Sequence, residues 1–131
     1  MKNTRLYFLL LGACLLSASS CTKDTDPGVE LPPSVSCALT SSYAKPVTDL
    51  EGTVEFNQAL QQYVISRYIP GTYDSVDIGV LCGDLPDYLK TAGTTVRFSG
   101  TYRGYGQLPP SLAAPAGTTY YYLELSKIAK L

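Results

Sequence analysis

Two carboxylate pairs, Asp74 with Asp77 and Asp84 with Asp87, have the spacing in this sequence best suited to chemistry. Acids three residues apart near turns could serve as acid and base on a glycosidic bond, or collect a calcium ion. Neither pair fits the D-x-D-x-D-G calcium loop, and Asp84 is placed to cap a short helix at Leu85–Lys90. The chain has no His, which removes the Ser-His-Asp and Cys-His units and the usual zinc sites. Ser66 and Ser99 therefore lack a base partner, no C-x-x-C is present, and no metal or cofactor is expected. Tyrosine is plentiful, at eleven residues. An exposed Tyr can stack on a sugar or a base and offers a hydroxyl to a partner protein; equally, Tyr is a good strand former. The candidate ligand-binding group is Tyr68, Tyr73, Tyr102, Arg103, Tyr105, Tyr120 and Tyr122, with Tyr102 and Tyr105 flanking Arg103 in a Gly-rich stretch.

These residues must be delivered and held. At 131 residues the chain has room for one domain. It opens with Lys2 and Arg5, then an eleven-residue apolar run, Leu6 to Leu16, and the small residues Ser17 to Ser20 before Cys21. A basic start, a short apolar core and a small-residue exit are the parts of a secretory leader. The run is shorter than the roughly 20 apolar residues that a membrane-spanning helix needs.

The residues before Cys21 resemble the lipobox of bacterial lipoproteins, with Ala18 where the pattern prefers Leu, as in the looser box usual in Bacteroidota. The resemblance implies that residues 1–20 are a signal peptide, and that the Cys21 sulfur receives a diacylglycerol and heads the mature chain. Cys14 follows Leu11-Gly12-Ala13, a closer match by letter, but leaves an apolar core below the usual 7–15 residues. Residues 21–45 contain Pro, Gly and little apolar periodicity, and read as a flexible tether. Lys23-Asp24 with Asp26 resembles the post-cysteine signal that sends some such lipoproteins to the outer face of the outer membrane; acids there could also merely solvate a linker. Localisation is thus expected at the outer membrane, on its periplasmic or its surface face.

With Cys14 removed and Cys21 acylated, Cys37 and Cys82 remain. In an oxidising envelope they could form a disulfide whose loop of about 45 residues contributes roughly 3–4 kcal/mol through closure entropy. The alternative is a small core residue and an unpaired thiol.

From residue 46 onward the pattern has period two, so the domain at 46–131 is expected to be all-β. Leu50, Gly52, Val54 and Phe56 share one face; Tyr63 to Tyr68 follow after a turn; Val76, Ile78, Val80 and Cys82 share another face. Val96, Phe98, Gly100 and Tyr102 alternate, with Gly100 marking a bulge or bend, and Tyr121, Leu123 and Leu125 face one way in a last strand. Five strands with a short helix between the third and fourth is the order of an OB-like β-barrel. The segments Gly52-Thr53-Val54, Gly79-Val80-Leu81-Cys82 and Gly93 to Gly100 resemble those of small Bacteroidota-type lipoproteins with such a barrel. The expected core is Val54, Phe56, Ile65, Ile78, Val80, Val96, Phe98, Leu123 and Leu125.

The resulting expectation is a lipid-anchored, non-enzymatic binding or accessory module for a protein or glycan. The rival readings are a small glycan-directed enzyme using Asp74 and Asp77, and an oligonucleotide binder of the kind barrels of this order can be. Over residues 21–131 eight basic residues face eleven acidic ones, a net −3 that opposes nucleic acid. Replacing Cys21→Ser is expected to block maturation and release the protein from the membrane fraction, as read by mass spectrometry and by fractionation. Unchanged processing and partitioning would refute the anchor.

Overall fold

A computed structural model describes residues 26–32, 37, 41–112 and 114–131. The leader, Cys21 and residues 22–25 lie outside the described residues. No helix among the described residues is long and apolar enough to cross a membrane.

Six strands form one sheet: β1 (Val29–Glu30), β2 (Ala44–Asn57), β3 (Gln62–Tyr68), β4 (Val76–Leu81), β5 (Thr95–Gly104) and β6 (Thr118–Lys130). The order β6-β4-β3-β2-β5 closes through a β5–β6 pairing, so five strands make a barrel and β1 lies outside β6. All neighbours are antiparallel except β4 and β6, which run parallel. This is the expected OB-like barrel. One short 3-10 turn, Asp87–Leu89, sits between β4 and β5.

The barrel closes at one corner. β5 alternates without a break, but both of its neighbours slip at the same level. On β2, Val47 faces Gly100 and Leu50 faces Phe98, leaving Thr48 and Asp49 as a bulge. On β6, Leu125 faces Gly100 and Lys127 faces Ser99, leaving Ser126 as another. Bulges sharpen the local twist, which lets a small sheet curl onto itself. A Cβ at Gly100 would strike the Glu124 carbonyl oxygen, so only Gly admits this approach.

The interior is filled by Val54, Ile65, Val96, Phe98, Leu123, Leu125 and Ile128, with Leu85 and Leu89 from the β4–β5 connection. Six of the nine expected core residues are there. Ile78 and Val80 are not: they point outward with Val64 into a second cluster, covered by Leu60, Tyr105, Tyr120 and Tyr122. Both faces of β4 are buried, so alternation found the faces but not which one looks inward. Phe56 is half-buried, its ring edge-on to Tyr63 at 5.1 Å.

Other expectations also shift. Asp84 does not cap the short turn, where Pro86 holds the cap position and no side chain bonds the backbone. Instead the Lys90 ammonium donates to Asp84 at 3.1 Å and to Asp87 at 2.8 Å, which accounts for that carboxylate pair. Part of the stretch read as tether is structured. Val29 and Glu30 pair with Ile128 and Lys127, and the first barrel strand begins at Ala44 rather than residue 46. Cys37 and Cys82 are joined by a disulfide, their Cα atoms 5.1 Å apart, fastening the chain after β1 to the end of β4.

Of the two phenylalanines among the described residues, Phe98 is the one enclosed by the interior, only 1% exposed. Phe98→Ala should cost about 3–5 kcal/mol in denaturant melts. Gly100→Ala, which forces two backbones apart, should cost more than about 2 kcal/mol. A loss below about 1 kcal/mol in either would contradict the corner described here.

Candidate functional site

Strand direction divides the barrel into two ends. β3 and β5 finish, and β4 and β6 begin, at an upper end that also receives the start of β2. The lower end holds the Asp87–Leu89 turn and the finish of β6. There the Asp26 carboxylate accepts from the Lys130 backbone N–H at 3.3 Å.

The expected tyrosines gather toward the upper end from three separate stretches of chain. Tyr68 ends β3 and is 75% exposed, and Tyr73 on the following loop is 98% exposed. That loop is braced rather than slack. The Ile69 N–H donates to the Ser75 carbonyl at 2.9 Å, and the Thr72 hydroxyl donates to the Ile69 carbonyl at 2.7 Å. Pro70-Gly71 makes the turn after β3, with Gly71 at φ +80°. A constrained loop therefore holds a fully wet aromatic ring.

Tyr105, Tyr120 and Tyr122 form a wall on the outer face of β6. The Tyr105 ring stacks on Tyr122 at 4.5 Å and tilts against Tyr120 at 6.0 Å. Strand alternation turns Tyr120 and Tyr122 to the face opposite Tyr121, which packs against the interior. Burial, then the neighbouring Tyr122 and Tyr120, push the Tyr105 phenol up from its ordinary range. It is a neutral hydroxyl at physiological pH, able to donate and accept.

Tyr102 departs from the expectation of a surface residue. It is fully buried, because β5 alternation turns it inward with Val96 and Phe98. Its ring lies beneath Gly79, where a Cβ would crowd it at 3.2 Å, so Gly79 makes the space it occupies. Phe98, Tyr102, Tyr121 and Tyr43 form a ladder of rings from core to rim, with successive centroids 6.3, 4.9 and 5.9 Å apart. Arg103 is engaged, its Nε donating to Glu124 at 3.0 Å.

Asp74 and Asp77 are in unlike settings: Asp74 stands on the exposed loop, while Asp77 is 3% exposed and faces into the barrel. Arg67 lies across the strand pair, its guanidinium 3.8 Å from the Asp77 carboxylate. One Asp77 oxygen and the Tyr102 hydroxyl have no hydrogen-bond partner. Desolvation raises the Asp77 pKa above the ordinary carboxylate range, against the pull of Lys45 and Arg67. Desolvation, then the Asp77 charge, raises the Tyr102 phenol in turn. Lys45, Arg67, Tyr43 and Tyr121 join this end only through cross-strand register, which no spacing along the chain reveals. Among the described residues no group of three or more Cys, Asp or Glu could hold a metal ion.

Compared with known proteins, the chain matches no protein-family model and no curated protein.

Two substitutions test the buried polar pair. Tyr102→Phe should leave stability unchanged or raise it by up to about 1 kcal/mol, since it removes an unpartnered hydroxyl and keeps the ring. Asp77 takes up its proton more readily folded than unfolded, so its ionisation costs stability as pH rises from the unfolded pKa through the folded one. Asp77→Asn should therefore stabilise the protein at neutral pH, with a gain that vanishes in acid below the ordinary carboxylate value of 3.8. Denaturant melts across pH would show a gap that closes on acidification; a gap independent of pH would contradict the assignment.

Proposed function

We propose that this chain is a lipid-anchored envelope protein, fixed to the outer membrane through acylated Cys21, that acts as a non-enzymatic binding or accessory module. Its contact surface is the upper end of the barrel, and its partner is a protein or a glycan. The observation that carries the proposal is Tyr73, a ring left 98% exposed on a loop held by its own hydrogen bonds. A constrained aromatic gives a partner large contact area at little further cost in conformational entropy.

Orientation supports the same reading. Asp26 meets the last residues of β6 at the lower end, and Cys21 precedes it by only five residues. An anchor there leaves Tyr68 and Tyr73 on the side of the barrel facing away from the bilayer. The unlike settings of Asp74 and Asp77 give no support to a paired acid and base, which must face one sugar ring from a shared cleft.

A photo-crosslinking residue at position 73 tests the surface in intact cells, with one at the exposed lower-end position Gln58 as the comparison. Position 73 should yield a discrete adduct with a protein or glycan, and position 58 should not. In a binding assay with that partner, Tyr68→Ala with Tyr73→Ala should weaken affinity at least about tenfold, or 1.4 kcal/mol. Adducts equal at both positions, or undiminished binding by the double variant, would refute the assignment.

A further inference from the structure

A concave surface lies on the lower outer face, away from the tyrosines of the upper end. It is a cleft of about 420 Å³ into which Arg97, Ser99, Lys127, Asp26 and Asp49 project, with Pro27 and Ala129 as apolar wall. That volume falls within the usual range of small-ligand sites. Its side chains bring two cations and two carboxylates to one recess, with Leu131 completing the lining.

The backbone here is unusual. Asp49 occupies the β2 bulge at φ +50°, where non-glycine residues are uncommon, and its N–H donates to the Ser99 hydroxyl at 3.0 Å. Such conformations concentrate at ligand sites. Among the described residues nothing partners the Asp49 carboxylate, whereas the Asp26 carboxylate accepts from the Gly28 and Lys130 backbone N–H groups. Both cations pair with glutamates outside the cleft: Arg97 with Glu51 at 2.7 Å and Lys127 with Glu30 at 3.8 Å. These pairs are exposed, so each is weak and leaves its cation available to an incoming anion.

We infer that this cleft binds a phosphoethanolamine-type zwitterion, its phosphate held by Arg97 and Lys127 and its primary ammonium by Asp49. A guanidinium suits the fork of phosphate oxygens, and a primary ammonium supplies the donors that a carboxylate needs. The position of the cleft names the source. For a membrane source the inference rests on the anchor proposed above. Asp26 forms part of the cleft and follows Cys21 by five residues, a span of at most about 18 Å when extended. An acylated Cys21 therefore keeps the cleft within reach of ethanolamine phospholipid headgroups.

The test uses the detergent-extracted full-length protein titrated with O-phosphorylethanolamine, followed by calorimetry or NMR shifts. Saturable binding is expected, at least about tenfold weaker for phosphocholine and for inorganic phosphate. Asp49→Asn, Arg97→Gln and Lys127→Gln should each weaken it by a similar factor, with thermal melts showing that the variants fold. A chain beginning at residue 22, which keeps every described residue, should float with phosphatidylcholine vesicles containing phosphatidylethanolamine and not with phosphatidylcholine alone. Saturation by the free zwitterion without flotation supports the site and assigns it a soluble or glycan-linked source. Absence of saturation, equal binding of phosphocholine, or indifference to all three substitutions overturns the inference. Failure of the anchor is read separately, from the fractionation of Cys21→Ser, and leaves the titration unaffected.

Discussion

The close approach of three backbones at Gly100 governs the rest of this molecule. β5 runs straight past a point where β2 and β6 each carry surplus residues, so the sheet turns a corner there and its edges meet. A closed barrel of five strands needs little chain and leaves little free edge, which suits a small domain with limited core. The slip on β6 also restores the inward phase of Ile128 after Leu125. The slip on β2 does the same for Leu50 after Val47. The bulge that closes the barrel thus also places Asp49 in its left-handed conformation beside Ser99. Architecture and the lower cleft share one cause.

The two ends of the barrel differ in kind. Leu85 and Leu89 fill the lower end with apolar side chains, and the upper end carries a buried carboxyl, an unpartnered phenol and a rim of tyrosines. Parallel pairing of β4 with β6 sends both strands downward from that rim, so the loops before them lie side by side. The chain before β1 enters at the opposite end. The proposed anchor and the proposed contact surface therefore lie at opposite ends and draw on different loops.

Much of this was legible in the chain because half-buried strands write their pattern in alternate residues. The faces of β5 were legible but its end was not, since the strand runs on through Arg103 and Gly104; Val96, Phe98, Gly100 and Tyr102 keep strict period two, and that alternation sends Tyr102 inward with the others. Its neighbourhood in a Gly-rich stretch argued for the surface, and packing decided otherwise. β4 shows the limit of periodicity: Asp77, Gly79 and Leu81 look less like a core face than Val76, Ile78 and Val80, but a large ring opposite Gly79 takes up the missing volume. Asp84 illustrates another limit, because a lysine six residues later competes for the cap's carboxylate. The cleft residues Asp26, Asp49, Arg97 and Lys127 come from four segments, and only three-dimensional register brings them to one recess.

The bond between Cys37 and Cys82 has a mechanical meaning. Tension on the chain ahead of Asp26 would first load the two-residue β1 pairing, which is short enough to peel from β6 under modest force. The eleven residue steps from Asp26 to Cys37 would then reach at most about 40 Å from end to end, at roughly 3.6 Å per residue. Extension stops there, because the covalent link passes the load to the end of β4 and shields the chain between the two cysteines from direct strain. Any pull on the chain ahead of β1 would thus meet a hard stop at Cys37.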